Sequence, residues 1–407
     1  MSPSILFVDH ASDVGGAELS LFDTAMHWQS PLHVALMQKG PFADLLRSHA
    51  VPATVVEAGS AVLGVRRGGG WSQGLRAVAG IPALSWQLAK LARRHDVVYA
   101  NTQKSLIVGG PAAWLAGKPL VWHLHDILSP EHFSAMNRRL PVAVANRFCS
   151  RVIANSSATA DAFIKEGGNP RLVGIVPNGI SSEPFKRDSA EEIAALRRSL
   201  GLEGRKLAGM FGRLAAWKGQ HVFIRAVADI PGLHAVIVGG ALFGEEAYEA
   251  DLKRLCAELG IAHRVHFLGF QSDIPRLMRM MDLIVHASTA PEPFGRVLVE
   301  AMLAQTPLIA SRAGGALEIV QDRVSGRLVA PDDAADLRDA IAETLAWPTA
   351  TSAMVANAYG VATTRFSTEV MIDGIRREIA LALPAGAYTA PASSQPFPAE
   401  FINTTKL

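Results

Sequence analysis

Two glutamates, Glu292 and Glu300, have the type and spacing to bind a ligand with hydroxyl groups at two places. Glu292 lies between Pro291 and Pro293, which favour an extended chain. A helical period begins near Phe294, so Glu300 falls within a helix, about 9 Å along its axis from that start. Because carboxylates accept strong hydrogen bonds from hydroxyl groups, the pair predicts a site for a polyhydroxylated ligand.

The start of this helix predicts an anion site between the two carboxylates. Its first turn has free backbone N–H groups and the positive end of the helix dipole. A glycine at this point lets a ligand approach the backbone closely. The residues concerned are Phe294, Gly295, Arg296 and Val297. A nucleotide sugar, with hydroxyls on both sides of a diphosphate, fits this arrangement.

Two cations, Arg213 and Lys218, follow the first expected strand of the second half and are bracketed by Gly212 and Gly219. Ligands bind at the carboxyl ends of strands in open α/β sheets. Arginine offers a planar fork and lysine a point charge, so both can meet a diphosphate. An Arg and a Lys after a strand are weak evidence alone, and the two glycines strengthen the prediction.

Paired glycines follow two other expected strands. Gly15 and Gly16 open a helix after the first strand, and Gly314 and Gly315 follow a strand near the end of the second half. Both pairs permit close approach of a phosphate or sugar to the backbone. Neither completes a G-x-G-x-x-G fingerprint, and a plain strand-to-helix turn is the alternative for the first pair.

His123 and His125 end another expected strand and alternate onto one of its faces. Two histidines beside Asp126 make a weak zinc site, and a hydrogen-bonded strand-end histidine is the alternative for each. Cys149 and Cys256 lie far apart, without metal-ligand spacing, and are expected to be reduced thiols. We therefore predict no metal and no cofactor.

The elements that must position these residues are short apolar strands alternating with helices. Runs such as Ile5–Val8, Val97–Ala100 and Leu283–Val285 are apolar on both faces, which is typical of a buried parallel sheet. The pattern restarts after Ile180, so the chain is predicted to be α/β with two Rossmann-like halves. The expected segments are domains at 1–180 and 190–365, a helix at 366–383 crossing back to the first domain, and a disordered tail at 384–407.

Composition limits the partners. The net charge is +2 over 407 residues, which argues against nucleic-acid binding by bulk charge. Neither a signal peptide nor a membrane span is expected, so we predict a cytoplasmic protein. A basic stretch between Arg66 and Arg94 contains Trp71 and Trp86. It is either a solvated helix face or a patch for an acceptor or the inner membrane surface.

The ordered set of motifs resembles family 4 of the retaining glycosyltransferases, over about residues 5–380. The matching segments are Gly15-Gly16-Ala17-Glu18, Val176-Pro177-Asn178-Gly179-Ile180, Gly212-Arg213 with Lys218-Gly219, Glu292 with Glu300, Gly314-Gly315 with Glu318-Ile319-Val320, and Ser325-Gly326. The resemblance implies a GT-B fold, in which two doubly wound domains face each other across a cleft. One departure is Ser181, where many members have Asp.

The resemblance also implies roles. Arg213 and Lys218 resemble the pair that neutralises the donor diphosphate. Glu292 resembles the residue that contacts the donor sugar, and Glu300 resembles the ribose ligand. His125 resembles the histidine near the transferred sugar, although His123 could serve instead. Members typically work without a bound metal.

The implied activity is transfer of a hexose, with retention, from a nucleotide sugar to a glycan, lipid-linked or small-molecule hydroxyl, as in polysaccharide biosynthesis. UDP-sugars are favoured over GDP-sugars as donors. Two alternatives keep the fold: a nucleotide-sugar 2-epimerase or phosphorylase, and a non-enzymatic nucleotide-sugar-binding protein.

Overall fold

The computed structural model describes residues 3–58, 71–241 and 245–388, with side chains of the helix that begins at Trp71 described from residue 80 onward. The described chain forms two compact units. One contains the residues up to Gly179 together with those from Thr368 onward, and the other is Ile180–Ser367. The tail predicted at 384–407 lies outside the described residues from residue 389 onward.

The first unit is a doubly wound parallel sheet. Its strands are β1 (Ile5–Asp9), β2 (Leu32–Leu36), β3 (Ala53–Val55), β4 (Val97–Ala100), β5 (Leu120–Leu124), β6 (Arg151–Ala154) and β7 (Val173–Ile175). Within the described residues their order is β3-β2-β1-β4-β5-β6-β7, and every pairing is parallel. The order reverses between β1 and β4, where open α/β sheets bind ligands.

Helices cover both faces of this sheet. They are α1 (Gly16–His27), α2 (Pro41–Ser48), α3 (Trp71–Ala92), α4 (Gln103–Ala116), α5 (Ala135–Phe148) and α6 (Ser157–Lys165). One buried cluster joins α3, α4 and α5 to one face, and another joins α1 and α2 to the other. Such two-sided cover explains why the strands are apolar on both faces.

The second unit repeats this design. Its strands are β8 (Lys206–Phe211), β9 (Leu233–Val238), β10 (Val265–Gly269), β11 (Leu283–His286), β12 (Leu308–Ser311) and β13 (Arg327–Val329). In the described part of the chain they form a parallel sheet in the order β10-β9-β8-β11-β12-β13. Here the order reverses between β8 and β11. The prediction of two Rossmann-like halves is confirmed.

The helices of the second unit are α7 (Ala190–Ser199), α8 (Gln220–Ala228), α9 (Glu246–Glu258), α10 (Ile274–Arg279), α11 (Arg296–Leu303), α12 (Ala316–Ile319), α13 (Ala334–Ala346) and α14 (Pro348–Arg365). The last helix, α15 (Thr368–Ala382), belongs to the first unit and packs on α1 and β6. Its Ile375 and Ile379 are fully buried there, and Glu378 forms an ion pair with Arg151 at 2.6 Å.

Candidate functional site

The loop after β8 brings Lys218 to the end of β11. Gly219, the residue after Lys218, has a left-handed φ of +79°, and a Cβ there would lie 1.9 Å from the Ala287 carbonyl oxygen. Only glycine therefore lets the two loops pass this closely. The Thr289 amide donates a hydrogen bond to the Trp217 carbonyl at 2.8 Å, which joins the loops at a second point.

The loop that carries Glu292 is fixed through its backbone. The Gly315 amide donates a hydrogen bond to the Glu292 carbonyl at 2.8 Å. In this structure Gly315 therefore binds the loop that carries Glu292. A Cβ on Gly314, whose φ is +59°, would lie 2.3 Å from the same carbonyl oxygen. The paired glycines predicted as a phosphate cradle thus also support Glu292.

The Glu292 carboxylate is buried and paired with a cation. Lys218 Nζ lies 2.6 Å from Glu292 Oε2, and the two side chains are 17% and 12% exposed. Burial by itself raises the pKa of Glu292, but the Lys218 ammonium and a hydrogen bond from His286 outweigh it and hold that pKa well below its usual range. At neutral pH Glu292 is therefore a carboxylate, which accepts hydrogen bonds and has no proton to supply.

Two further side chains contact the same carboxylate. His286 Nε2 lies 3.3 Å and Ser288 Oγ 3.2 Å from Glu292 Oε2. Neither was singled out from the sequence, because a histidine at a strand end and a serine in a loop are common. Their position at the carboxyl end of β11 was the only available signal.

The helix predicted after Phe294 begins at Arg296. Its N-cap is Gly295, which provides no side-chain cap. Arg296 and Glu300 lie one turn apart, with Nε and Oε1 separated by 3.6 Å, and both are mostly buried. Phe294 is buried against Phe366 with the ring centroids 5.8 Å apart, so it contributes packing here. Val297 lies in the first turn, as predicted.

In the loop after β8, Arg213 lies beside the Trp217 ring, with the guanidinium carbon 5.7 Å from the ring centroid.

The first unit carries a separate acidic group where β1 meets α1. Gly15 precedes α1, which begins at Gly16, and the Gly15 amide donates to Glu18 Oε2 at 3.0 Å. Burial, with the neighbouring Asp9, raises the pKa of Glu18 to about 8. Burial likewise raises the pKa of Asp9 to about 6. These carboxylates lie beside the sheet's switch point.

A hydrogen-bonded chain links this group to His125. Asn101 Nδ2 donates to Asp9 Oδ2 at 2.7 Å, and Asn101 Oδ1 lies 3.0 Å from His125 Nε2. His123 is 1% exposed and bonded to the Tyr99 hydroxyl at 2.7 Å. Burial lowers the pKa of His123 well below its ordinary value, so it is a neutral core residue. Of the two histidines, His125 is the more accessible.

The structure therefore brings together some predicted residues and separates others. Lys218 contacts Glu292, and Arg296 lies beside Glu300, all within the second unit. The first-unit residues are Gly15, Gly16 and His125. Among the described residues, no group of three or more His, Cys, Asp or Glu side chains is arranged to hold a metal ion. None of the described helices is long and apolar enough to cross a bilayer.

The basic stretch between Arg66 and Arg94 is described only in part. Arg66 and Arg67 lie outside the described residues, and the side chain of Trp71 is not described. Trp86 is 54% exposed on α3, and Lys90 Nζ lies 3.3 Å from its ring centroid. The end of the stretch thus presents an exposed tryptophan beside a cation.

Comparison with known proteins gives matches along most of the chain. The family described as Glycosyltransferase Family 4 matches residues 14–183, and the family described as Glycosyl transferases group 1 matches residues 192–361. The Anabaena protein HepE is 41% identical, with a TM-score of 0.85, over 93% of this chain and 99% of that one. HepE has been solved with UDP and glucose and with UDP-glucose.

A curated relative is more distant. The D-inositol 3-phosphate glycosyltransferase of Mycobacterium marinum is 31% identical over 255 residues, which cover 59% of this chain and 53% of that protein. The chain thus spans about half the length of the curated relatives it matches. A glycosyltransferase of Rickettsia africae is 17% identical with a TM-score of 0.77, which reflects a shared fold.

Proposed function

Because the chain belongs to glycosyltransferase family 4, a family of transferase enzymes with the GT-B fold, we propose that it transfers a hexose from a nucleotide sugar to an acceptor hydroxyl. The observation that carries the proposal is the contact between Lys218 and the buried Glu292 carboxylate at the switch point of the second sheet. A cation for a diphosphate and an acceptor for sugar hydroxyls lie side by side there.

The chemistry follows from charge. Breaking the bond between the anomeric carbon and the diphosphate oxygen builds negative charge on the leaving group. Lys218 and Arg213 stabilise that charge, together with amides at the start of α11. The acceptor oxygen attacks the same face of the sugar, and its proton passes to the departing phosphate oxygen. The configuration is therefore retained, and Glu292 acts as neither nucleophile nor acid.

The remaining predicted residues bind the donor. Glu292 accepts hydrogen bonds from the hexose, and Glu300 accepts them from the ribose. In the second unit, Gly212, Gly295, Val297, Gly314 and Gly315 let the donor approach the backbone. In the first unit, Gly15 and Gly16 precede and open α1, and His125, held by Asn101, is the residue that the family resemblance assigns to contact with a sugar. No metal ion takes part, so activity persists after exhaustive EDTA treatment, whereas a loss restored by magnesium or manganese would contradict this part.

UDP-glucose is the donor we favour. HepE, at 41% identity over almost its whole length, has been solved with that compound, which supports a UDP-hexose over a GDP-sugar. The acceptor is a glycan, a lipid-linked molecule or a small molecule. Incubation with UDP-glucose alone tests the epimerase alternative, because a 2-epimerase forms epimer or elimination products without an acceptor. A phosphorylase would need phosphate as a co-substrate, and a non-enzymatic binding protein would give no turnover even with an acceptor present.

A layer of basic helices supports peripheral contact with a membrane. Helices α3, α4 and α5 pack side by side on one face of the first sheet, and their sequences contain Lys and Arg but no Asp or Glu. Exposed apolar side chains on the same helices are Trp86, Trp114, Leu115 and Leu140. Aromatic and basic side chains on one surface suit the headgroup region of an anionic bilayer.

The decisive experiment measures turnover of UDP-glucose by the protein and by Lys218→Ala. Turnover of Lys218→Ala should fall by about 10²–10³ at saturating donor, as when one preorganised donor to a developing anion is lost. Lys253→Ala is the matched control, because Lys253 is an exposed lysine paired with Glu249. Unchanged turnover in Lys218→Ala would place the phosphate site elsewhere.

A further inference from the structure

The two oxygens of Glu292 have different surroundings. Oε2 is contacted by Lys218 at 2.6 Å, Ser288 at 3.2 Å and His286 at 3.3 Å. Among the residues that the structure describes, none is hydrogen-bonded to Oε1. One oxygen is therefore saturated by the protein, while the other remains to bind a ligand.

The direction of the His286 hydrogen bond follows from its partners. Because Glu292 is a carboxylate that can only accept, His286 Nε2 carries the proton and donates it. His286 Nδ1 is buried without a hydrogen-bond partner in the described structure. The hydrogen bond to Glu292 therefore requires a proton on His286 Nε2.

The His286 and Ser288 contacts are independent of the lysine. Lys218 is the group that a diphosphate would attract, and its ammonium has three N–H donors to share. His286 belongs to β11 and is 4% exposed, and Ser288 is 1% exposed, so packing holds both in place. His286 and Ser288 therefore keep Glu292 Oε2 hydrogen-bonded when Lys218 turns toward phosphate.

We propose that His286 is a positioning residue which, with Ser288, fixes the Glu292 carboxylate so that Oε1 alone meets the donor sugar. This inference rests on the proposed function, in which Glu292 binds the hexose. It adds a residue that touches neither sugar nor phosphate. Its effect is confined to the sugar half of the donor, because the nucleotide half does not contact Oε1.

The test compares the binding of UDP and of UDP-glucose by calorimetry. His286→Ala should weaken UDP-glucose about tenfold, as expected for a lost hydrogen bond to a charged group, and should leave UDP within about twofold of the original protein. His286→Gln restores an N–H donor and should recover most of the loss. Ser288→Ala removes a single donor from Oε2 and should show a smaller loss with the same selectivity.

A pH series adds a measurement that would not change if the role of His286 were merely structural. Without the His286 donor the pKa of Glu292 rises, so UDP-glucose binding by His286→Ala should fail at a higher pH on acidification. The matched control is His234→Gln, which changes a buried histidine of β9 that contacts Arg205 and His266. The control should bind both ligands normally, and melting temperatures report folding of each variant.

The binding results distinguish a failure of the proposed donor from a failure of positioning by His286. If the unmodified 407-residue chain binds neither UDP nor UDP-glucose, the proposed donor is wrong. If it binds both and His286→Ala weakens them equally, or weakens neither, positioning by His286 is wrong. Selective loss of UDP-glucose, recovered in His286→Gln, supports the inference.

Discussion

Two buried carboxylates in this chain have pKa values that are shifted in opposite directions. Glu292 has an ammonium at 2.6 Å and a pKa far below its ordinary value. Glu18 is buried beside the carboxyl of Asp9, and its pKa rises to about 8. At neutral pH Glu292 is ionised and Glu18 holds a proton. Burial raises the pKa of both groups; at Glu292 the neighbouring cation outweighs this effect, whereas at Glu18 the charge of Asp9 adds to it.

Glu300 should bind the nucleotide through its charge. Glu300→Ala removes charge-assisted hydrogen bonds to the ribose and should weaken binding of UDP by about 1.5–3 kcal/mol. Since Arg296 lies 3.6 Å away, Arg296→Ala shows how much of the loss comes from breaking that pair. Calorimetry on both variants measures the effect, and unchanged UDP affinity in Glu300→Ala would exclude the ribose role.

Glu18 should make stability depend on pH. The pKa of Glu18 is raised from 4.5 to about 8. The stability that Glu18 contributes to the fold is therefore fully present below pH 4.5 and is lost as the pH rises through about 8. Glu18→Gln mimics the protonated side chain, so above pH 8 the variant should be more stable than the original, with the difference vanishing near pH 4.5. Denaturant unfolding at several pH values tests this, with Glu57→Gln, 70% exposed, as the control.

Among the elements, the loops after β8 and β11 show how glycines set the site. Gly219 and Gly314 have positive φ, and a side chain at either would meet backbone oxygen atoms of the neighbouring loop. Such a contact cannot be relieved by a rotamer change. The loops therefore hold Lys218 and Glu292 together only while both glycines are present.

Gly219→Ala should displace Lys218 and lower stability. The left-handed conformation alone costs about 1–2 kcal/mol, and the clash with the Ala287 carbonyl adds to it. Gly201→Ala is a close control, because its φ is +68° but nothing lies within 4 Å of the added Cβ. The unfolding free energies of both variants separate the cost of the left-handed conformation from the cost of the clash. Their UDP affinities report whether Lys218 is displaced. Equal losses of stability in the two variants would show that the clash is relieved.

The elements were more predictable than the side chains within them. Runs of β-branched residues located the long strands because burial on both faces leaves an uninterrupted apolar signal. The edge strands β7 (Val-Gly-Ile) and β13 (Arg-Leu-Val) were not predicted, since each is only three residues long and one of the three is a glycine or an arginine. The motif residues were found from their spacing, whereas His286 and Asn101 act through contacts that only the folded chain creates.

For the molecule as a whole, charge is distributed unevenly. The net charge of +2 conceals a layer of three neighbouring helices, α3, α4 and α5, without a single Asp or Glu. Helices of the second unit such as α9 and α13 carry several acidic residues. The absence of acidic residues from these three helices favours attraction of this face of the first unit to an anionic surface.

This layer should bind vesicles that contain anionic phospholipid. Each basic residue near such a surface contributes about 1 kcal/mol, and exposed salt-sensitive contacts weaken as ionic strength rises. Trp114→Ser, at a residue 62% exposed on α4, should reduce cosedimentation with these vesicles. Trp347→Ser, at a residue 65% exposed in the second unit, should not. Equal binding to uncharged vesicles, or none to either kind, would contradict the role of charge.

The return of α15 to the first unit affects how the chain folds as it leaves the ribosome. Residues 180–367 are contiguous, so the second unit can complete its core as soon as they emerge. The first unit must wait for Thr368–Ala382, although its sheet is synthesised first. Until then the apolar surface around Phe7 and Val176 lacks the part of its cover that Ile375 and Ile379 provide. Translation thus completes the second unit while the first still exposes part of its apolar core, which is the kind of surface that makes partly folded chains prone to aggregate.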